Sequence, residues 1–298
     1  VPTQWNAALR AVTPDGRVTT VTNGAAVFGS PRDVAVDGRR GLIVVDNDRQ
    51  TLCRVRPGRN VEPIAGSGSR HGALNGTAGE ARFFRPCGVV EEGSGRLAVC
   101  DSFNHALRVV GPDGRVSTLA GRLGVAGAAD GAATNATFSW PAGLARDAAG
   151  NRYVADAGNH VVRKVAPDGA VSTVAGSAGN SGYVDGPGAR ARFASPSGVA
   201  VGGDGCLYVA DRANHVVRRI SAEGSVTTLA GAAGKPGRSD GTGPNARFNN
   251  PSGLAVDALG NVYVADTGNH TLRVIVPGGE VTTLAGCAGV KGCADGVG

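Results

Sequence analysis

Short apolar runs alternate with polar and glycine-rich breaks along the chain. Gly253–Val256 (GLAV) leads through a turn ending at Gly260 into Asn261–Ala265 (NVYVA). The polar bend Asp266-Thr-Gly-Asn-His270 follows, then Thr271–Val276 (TLRVIV), a Gly-Gly turn and the run EVTTLA from Glu280. Runs this short, rich in β-branched residues and bounded by glycine, predict strands and not helices. Asp-Gly pairs at the third turn of other units (Asp113-Gly114, Asp168-Gly169) are hairpin turns. The pattern predicts four antiparallel strands per unit.

The unit recurs. Pro31, Pro86, Pro141, Pro196 and Pro251 are each 55 residues apart, and Asp46, Asp101, Asp156, Asp211 and Asp266 keep the same step. A lone four-stranded sheet cannot cover its own faces, so units of this size stack on one another. The expected fold is all-β: a six-bladed β-propeller of four-stranded antiparallel blades. A solenoid would want parallel strands and shorter rungs. One domain is expected over residues 1–298, with a partial blade at 1–30 and units at 31–85, 86–140, 141–195, 196–250 and 251–298. Val1 to Val21 align with the end of a second strand plus a third and a fourth. The first blade is therefore expected to lack its inner strands in this chain, and the chain to be a segment of a longer protein.

The bends carry a specific resemblance. Asp101-x-x-Asn104-His105, Asp156-x-x-Asn159-His160, Asp211-x-x-Asn214-His215 and Asp266-x-x-Asn269-His270 each precede an apolar strand containing Arg. Over nearly the whole chain this resembles the NHL repeat, in a subtype with long loops ending in Ala-Arg-Phe. The resemblance implies a propeller serving as a scaffold or binding platform. Some relatives bind RNA on a basic face, and related six-bladed propellers are metal-dependent lyases or lactone hydrolases with an axial site; an axial lyase or lactonase and an RNA-binding platform are the two alternatives to the scaffold role. The unit at Pro31 departs from the pattern, with Asp46-Asn-Asp-Arg49-Gln50 at its bend.

Four copies of one Asp/His pair on four blades argue against a reaction centre and for a structural bend, in which Asp accepts turn amides while Asn and His tie the bend to the next strand. No catalytic residue, metal ligand or cofactor is expected. On the axial side, Gly88, Gly143, Gly198 and Gly253 open the inner strands and Asp33 alone breaks the series; a hard cation would want more oxygens. Phe28, Phe83, Phe138, Phe193 and Phe248 read as plugs between blades, and Arg82, Arg192 and Arg247 as cover for neighbouring backbone.

The loop tips differ among copies, and the candidate interaction rim is Arg70, His71, Tyr183, Lys235 and Arg238. The expected partner is a protein or a larger extracellular assembly. A net charge of +6 permits a polyanion, but Arg and carboxylates are interspersed and aromatics make up 4% of the chain. Nucleic acid is therefore not the expected partner, although Trp5, Trp140 and Tyr183 are candidates for stacking. No apolar run is long enough to span a membrane as a helix. Six cysteines form no CxxC; Cys287–Cys293 and Cys87–Cys100 are the candidate disulfides, and Cys53 and Cys206 candidate buried thiols. Asn75-Gly-Thr77 and Asn135-Ala-Thr137 are candidate glycosylation sites in loops, whereas the sequon at Asn269 lies in the bend. Paired cysteines and sequons together predict an extracellular or lumenal protein.

Overall fold

The computed structural model describes residues 2–3, 7–22, 28–38, 41–56, 61–68, 70–292 and 294–297. Its six antiparallel sheets are the blades of a six-bladed β-propeller, with no α-helix among the described residues. The opening blade holds three strands in sequence order, Pro2–Thr3, Ala8–Val12 and Arg17–Thr20. Pro2–Thr3 pairs antiparallel with Ala8–Val12, as the second strand of the Pro86 blade pairs with its third. The blade at Pro86 shows the full unit: Pro86–Glu91, Leu97–Asp101, Ala106–Val110 and Val116–Ala120, each paired with the next.

Two blades exceed the expected four strands. Gly186–Pro187 adds to the outer strand Ser225–Gly231, and Gly241–Thr242 adds to Glu280–Ala285. Single bridges do the same elsewhere, Gly76 to Val116 and Gly131 to Val171. Each long loop thus crosses the outer edge of the blade it is about to enter, which covers an edge strand that would otherwise present unpaired amides. Gly296–Val297, one repeat beyond Gly241–Thr242, is again a two-residue strand.

Packing divides the chain into two compact units, Val1–Val12 with Val18–Leu144 and Val165–Val171, and Thr13–Arg17 with Ala145–Lys164 and Ser172–Gly298. In the first, Phe83 joins Ile43, Val45 and Leu52 of one blade to Val89, Leu97 and Val99 of the next. In the second, Phe193 does so for Val162 and Val209, and Phe248 for Val217 and Val264. Fully burying such a ring contributes about 1.5–3 kcal/mol. The inner strands come so close that a side chain does not fit: a Cβ on Gly88 would lie 2.6 Å from the Ala142 carbonyl oxygen, and one on Gly198 2.2 Å from that of Ser252. These contacts account for glycine at positions 88 and 198, whereas a Cβ on Gly253 would meet only the Ala265 Cβ at 3.7 Å.

Candidate functional site: the bends and the long-loop rim

Each Asp of the repeated bend is fully buried and its oxygens are occupied. Asp211 accepts the Ala194 amide at 2.7 Å through Oδ1, and through Oδ2 the Asn214 amide group and the Arg218 guanidinium, both at 2.8 Å. Asp266, with Asn249, Asn269 and Arg273, and Asp101, with Phe84, Asn104 and Arg108, repeat the pattern; Asp156 contacts Asn159 and Arg163 in the same way. Burial pushes Asp101 and Asp211 up to about 6 against the pull of these donors.

The arginine is as buried as its partner and reaches backward into the preceding loop. Arg218 donates to the carbonyls of Arg192 and Val184 and to Asp185, and Arg273 to those of Arg247 and Ser239 and to Asp240. Its guanidinium lies 5.0 Å from the Phe193 ring centroid, and that of Arg273 5.3 Å from Phe248. Asn214 and Asn269 clamp the same loops through the carbonyls of Gly182 and Gly237. Within each unit the long loops therefore lie against the bends.

The histidines point the other way along the chain. Nδ1 of His105, His160 and His215 accepts the backbone N–H of Trp140, Ser195 and Asn250, the residue just before the next blade's proline. Desolvation lowers the pKa of all three imidazoles, in keeping with a neutral ring that accepts. In the departing unit Gln50 takes this part, its Oε1 accepting the Arg85 N–H at 2.6 Å. At these three blades the imidazole Nδ1 and at the Pro31 blade the amide Oε1 are engaged by backbone N–H groups.

Asp33 sits where other blades have glycine and bonds within the backbone, accepting the Val34 and Val89 amides at 2.9 Å; burial raises its pKa to about 6. Among the described residues no three His, Cys, Asp or Glu side chains converge.

Cys87 and Cys100 are not a disulfide, contrary to expectation. The bulge between Pro86 and Val89 turns them to opposite faces. Cys87 Sγ meets Asn47 of the preceding blade, whereas Cys100 Sγ points at the Gly143 carbonyl of the following one. Cys53 and Cys206 are buried thiols. Cys287 is an exposed thiol, and its expected partner Cys293 lies outside the described residues, as does Trp5. Asn75 and Asn135 are exposed in their loops. Asn75 Oδ1 accepts from Arg108, as Asp185 and Asp240 do from their arginines. Asn269 is 6% exposed and committed to Gly237 and Asp266, so its sequon offers no acceptor.

Of the candidate rim residues, two serve the loops themselves. Tyr183 bonds Thr228 and covers the Arg218 guanidinium, and Arg238 donates to the Ala288 carbonyl. Arg70, His71 and Lys235 project into solvent. At the Pro86 blade His71 belongs to a larger feature that the sequence reading left unassembled. Its ring stacks on Phe84 at 4.5 Å, Phe84 meets Phe103 at 5.0 Å, Phe103 meets Trp140 at 6.3 Å, and the Arg85 guanidinium lies 5.7 Å from the Phe103 centroid. Phe103 is 43% and Trp140 53% exposed. The signal was a break in the repeat. Phe103 stands where other units have Gly158, Ala213 and Gly268, and Phe84 where they have Ser139, Ala194 and Asn249.

The sequence model of the NHL repeat matches residues 193–220 and 248–275, each running from the buried Phe through the Asp-x-x-Asn-His bend to the end of the third strand. The chain carries NHL repeats on a six-bladed β-propeller. NHL repeat-containing protein 2 of Gallus gallus is 28% identical over 292 residues, covering 86% of this NHL propeller and 40% of its own length; the chain thus spans less than half of that relative. A crystal structure of a Bacteroides thetaiotaomicron protein superposes with a TM-score of 0.69 at 24% identity, covering 94% of this chain and 64% of that one. Virginiamycin B lyase from Staphylococcus aureus shares the fold with a TM-score of 0.60 at 11% identity, covering 96% and 80%. These two structures speak to the fold alone.

Proposed function

We propose that this chain is a non-catalytic recognition propeller that binds a protein partner through its long-loop rim, in an extracellular or lumenal setting. The carrying observation is the division of labour on that rim. The Asp, Asn, His and Arg of the bends are spent on holding loops and strands, while the side chains left in solvent differ from blade to blade and include a contiguous aromatic stripe. Exposed apolar patches of this kind mark interaction surfaces. Exposed sequons at Asn75 and Asn135 support the setting.

The test is to pan a random displayed-peptide library on the purified chain. Enriched binders should be lost when Arg70, Lys235 and Arg238 become alanine together with Phe103→Gly, and kept when the turns at Asp113 and Asp168 are altered. Binders indifferent to every rim substitution would refute the reading. For the setting, secretion from a eukaryotic host should yield a chain whose mass falls on glycosidase treatment and no longer does so in the N75Q/N135Q double variant.

A further inference from the structure

We propose that the aromatic stripe of the Pro86 blade is the docking surface for an extended acidic peptide carrying bulky apolar side chains. This rests on the rim reading above and names the class of partner. Four rings, His71, Phe84, Phe103 and Trp140, form a continuous apolar strip. At the corresponding positions the following three units place Ala126, Ser181 and Pro236 for His71, and for Trp140 the unit before places Arg85 and the two after place Ser195 and Asn250. The strip is therefore confined to one blade, and the fold does not require it.

Charge supplies the second half of the match. The segments that carry the strip, Arg70–Gly72, Phe84–Arg85, Ser102–His105 and Ser139–Trp140, contain no Asp or Glu. The neighbouring turn Arg122–Val125, held to the bend by the Gly124 N–H on the Asn104 carbonyl at 2.8 Å, contains none either. Arg70, Arg85 and Arg122 are exposed, and none of them makes an ion pair among the described residues. A cationic border on an apolar strip favours a partner that is anionic between its apolar anchors.

Ring spacing leaves no room for a base inserted between two rings, and it suits the side-chain repeat of an extended peptide. A base slipping between two rings needs a slot of about 7 Å, twice an ordinary contact distance. The gaps here are 4.5, 5.0 and 6.3 Å, and Arg85 already covers Phe103. The rings pack on one another and offer a surface, not slots. On an extended peptide, side chains of one face recur about every 6.6–7 Å, close to the Phe103–Trp140 separation, while the alternate residues can hold carboxylates toward the arginines.

The experiment measures fluorescence anisotropy of short labelled peptides against the purified chain. One alternates Glu with Phe and Leu, a second replaces Glu by Lys, a third replaces Phe and Leu by Ser; a labelled single-stranded RNA is the fourth probe. The acidic-apolar peptide should bind most tightly and weaken with salt. Phe103→Gly with Trp140→Ser, residues that sister blades already accommodate in the same backbone, should weaken it about tenfold or more, as should Arg85→Glu. Circular dichroism and melting checked beside wild type keep folding separate. Preference for the Lys peptide, tighter binding of RNA, or binding unchanged by these substitutions would overturn the proposal. Should displayed-library binders depend on Lys235 and Arg238 but ignore the stripe, the rim reading would stand and this one would fall.

Discussion

The unit at Pro31 and the unit at Pro196 are built from the same four strands, yet their bends are held by different residues. In the Pro196 blade Asn214 and Arg218 join Asp211 to the loop ahead of it. In the Pro31 blade the Asn position is Arg49, the Arg position is Cys53, and the segment ahead of it, residues 21–30, is half as long as residues 121–140 or 176–195. Asp46 still accepts the amides of Gly29, Ser30 and Arg49, and Gln50 still ties the bend to Arg85. The comparison separates two jobs merged in the consensus. Asp with His or Gln shapes the bend and joins it to the next blade, whereas Asn with Arg anchors a long loop and is replaced where no such loop arrives.

Removing the anchor should give the largest effect. Arg218→Ala leaves Asp211 buried with its charge partner gone, and loss of one member of a buried pair costs about 3–5 kcal/mol. Chemical denaturation should show this, together with protease cleavage in the loop Gly176–Pro196. Asp211→Asn combined with Arg218→Met should recover part of the loss, because the uncompensated charge is gone. At the matching position Cys53→Ala should cost about 1 kcal/mol, since only a small thiol cavity opens. Equal losses at Arg218 and Cys53 would mean the two blades are not held differently.

The converse graft is the next test. Cys53→Arg places a guanidinium beside Asp46 with no long loop to receive its remaining donors, in a cluster already filled by Leu9, Val44 and Val55. Overpacking of this kind costs about 1–3 kcal/mol. A stabilised Cys53→Arg chain, read from its denaturation midpoint, would break the link between loop and arginine.

Much of this was legible in the sequence because the repeat encodes backbone geometry many times over. The strands, the bends, the buried Phe positions and the three consecutive strands of the first blade all follow from periodic glycine, aspartate and β-branched residues. The arginine of the third strand was visible at the same step, but nothing in one dimension shows that it is buried, since that depends on a loop folding back over it. The two-residue strands on the blade edges were equally hidden, because a Gly-Pro or Gly-Thr pair carries no strand signal until it meets an outer edge. Cys87 and Cys100 misled for a related reason. Their joint appearance in one hairpin suggested a bond, and a single bulge turned them to opposite faces. The aromatic stripe lay in departures from the repeat, which a search for recurrence passes over.

The bend's other job gives a smaller signal. His215→Ala deletes an acceptor for the Asn250 N–H and should cost about 1 kcal/mol. His215→Gln should restore most of it, because Gln50 already performs this contact in the Pro31 blade. If glutamine rescues no better than alanine on thermal melts, the equivalence drawn between the two bends is wrong.

The subtlest test uses pH, and its sign follows from which form of the ring the fold accepts. His105, His160 and His215 are lowered from their usual pKa by desolvation, and protonation at Nδ1 replaces an acceptor with a second donor facing a backbone N–H. Below the ordinary histidine value of about 6.5 the unfolded chain takes up protons that the folded chain resists. Their contribution is therefore complete above that value and is lost as pH falls toward the depressed folded values. Asp101 and Asp211, raised to about 6 by burial, act in the opposite sense, favouring the fold as pH drops from about 6 toward the ordinary aspartate range, so the wild-type profile alone mixes the two. Replacing the three histidines by glutamine isolates the imidazoles. The stability difference between variant and wild type should be constant above neutrality and shift in favour of the variant as pH falls below about 6.5. A difference that stays flat across that window would show that the rings do not need to be neutral, and that the bends are closed by packing alone.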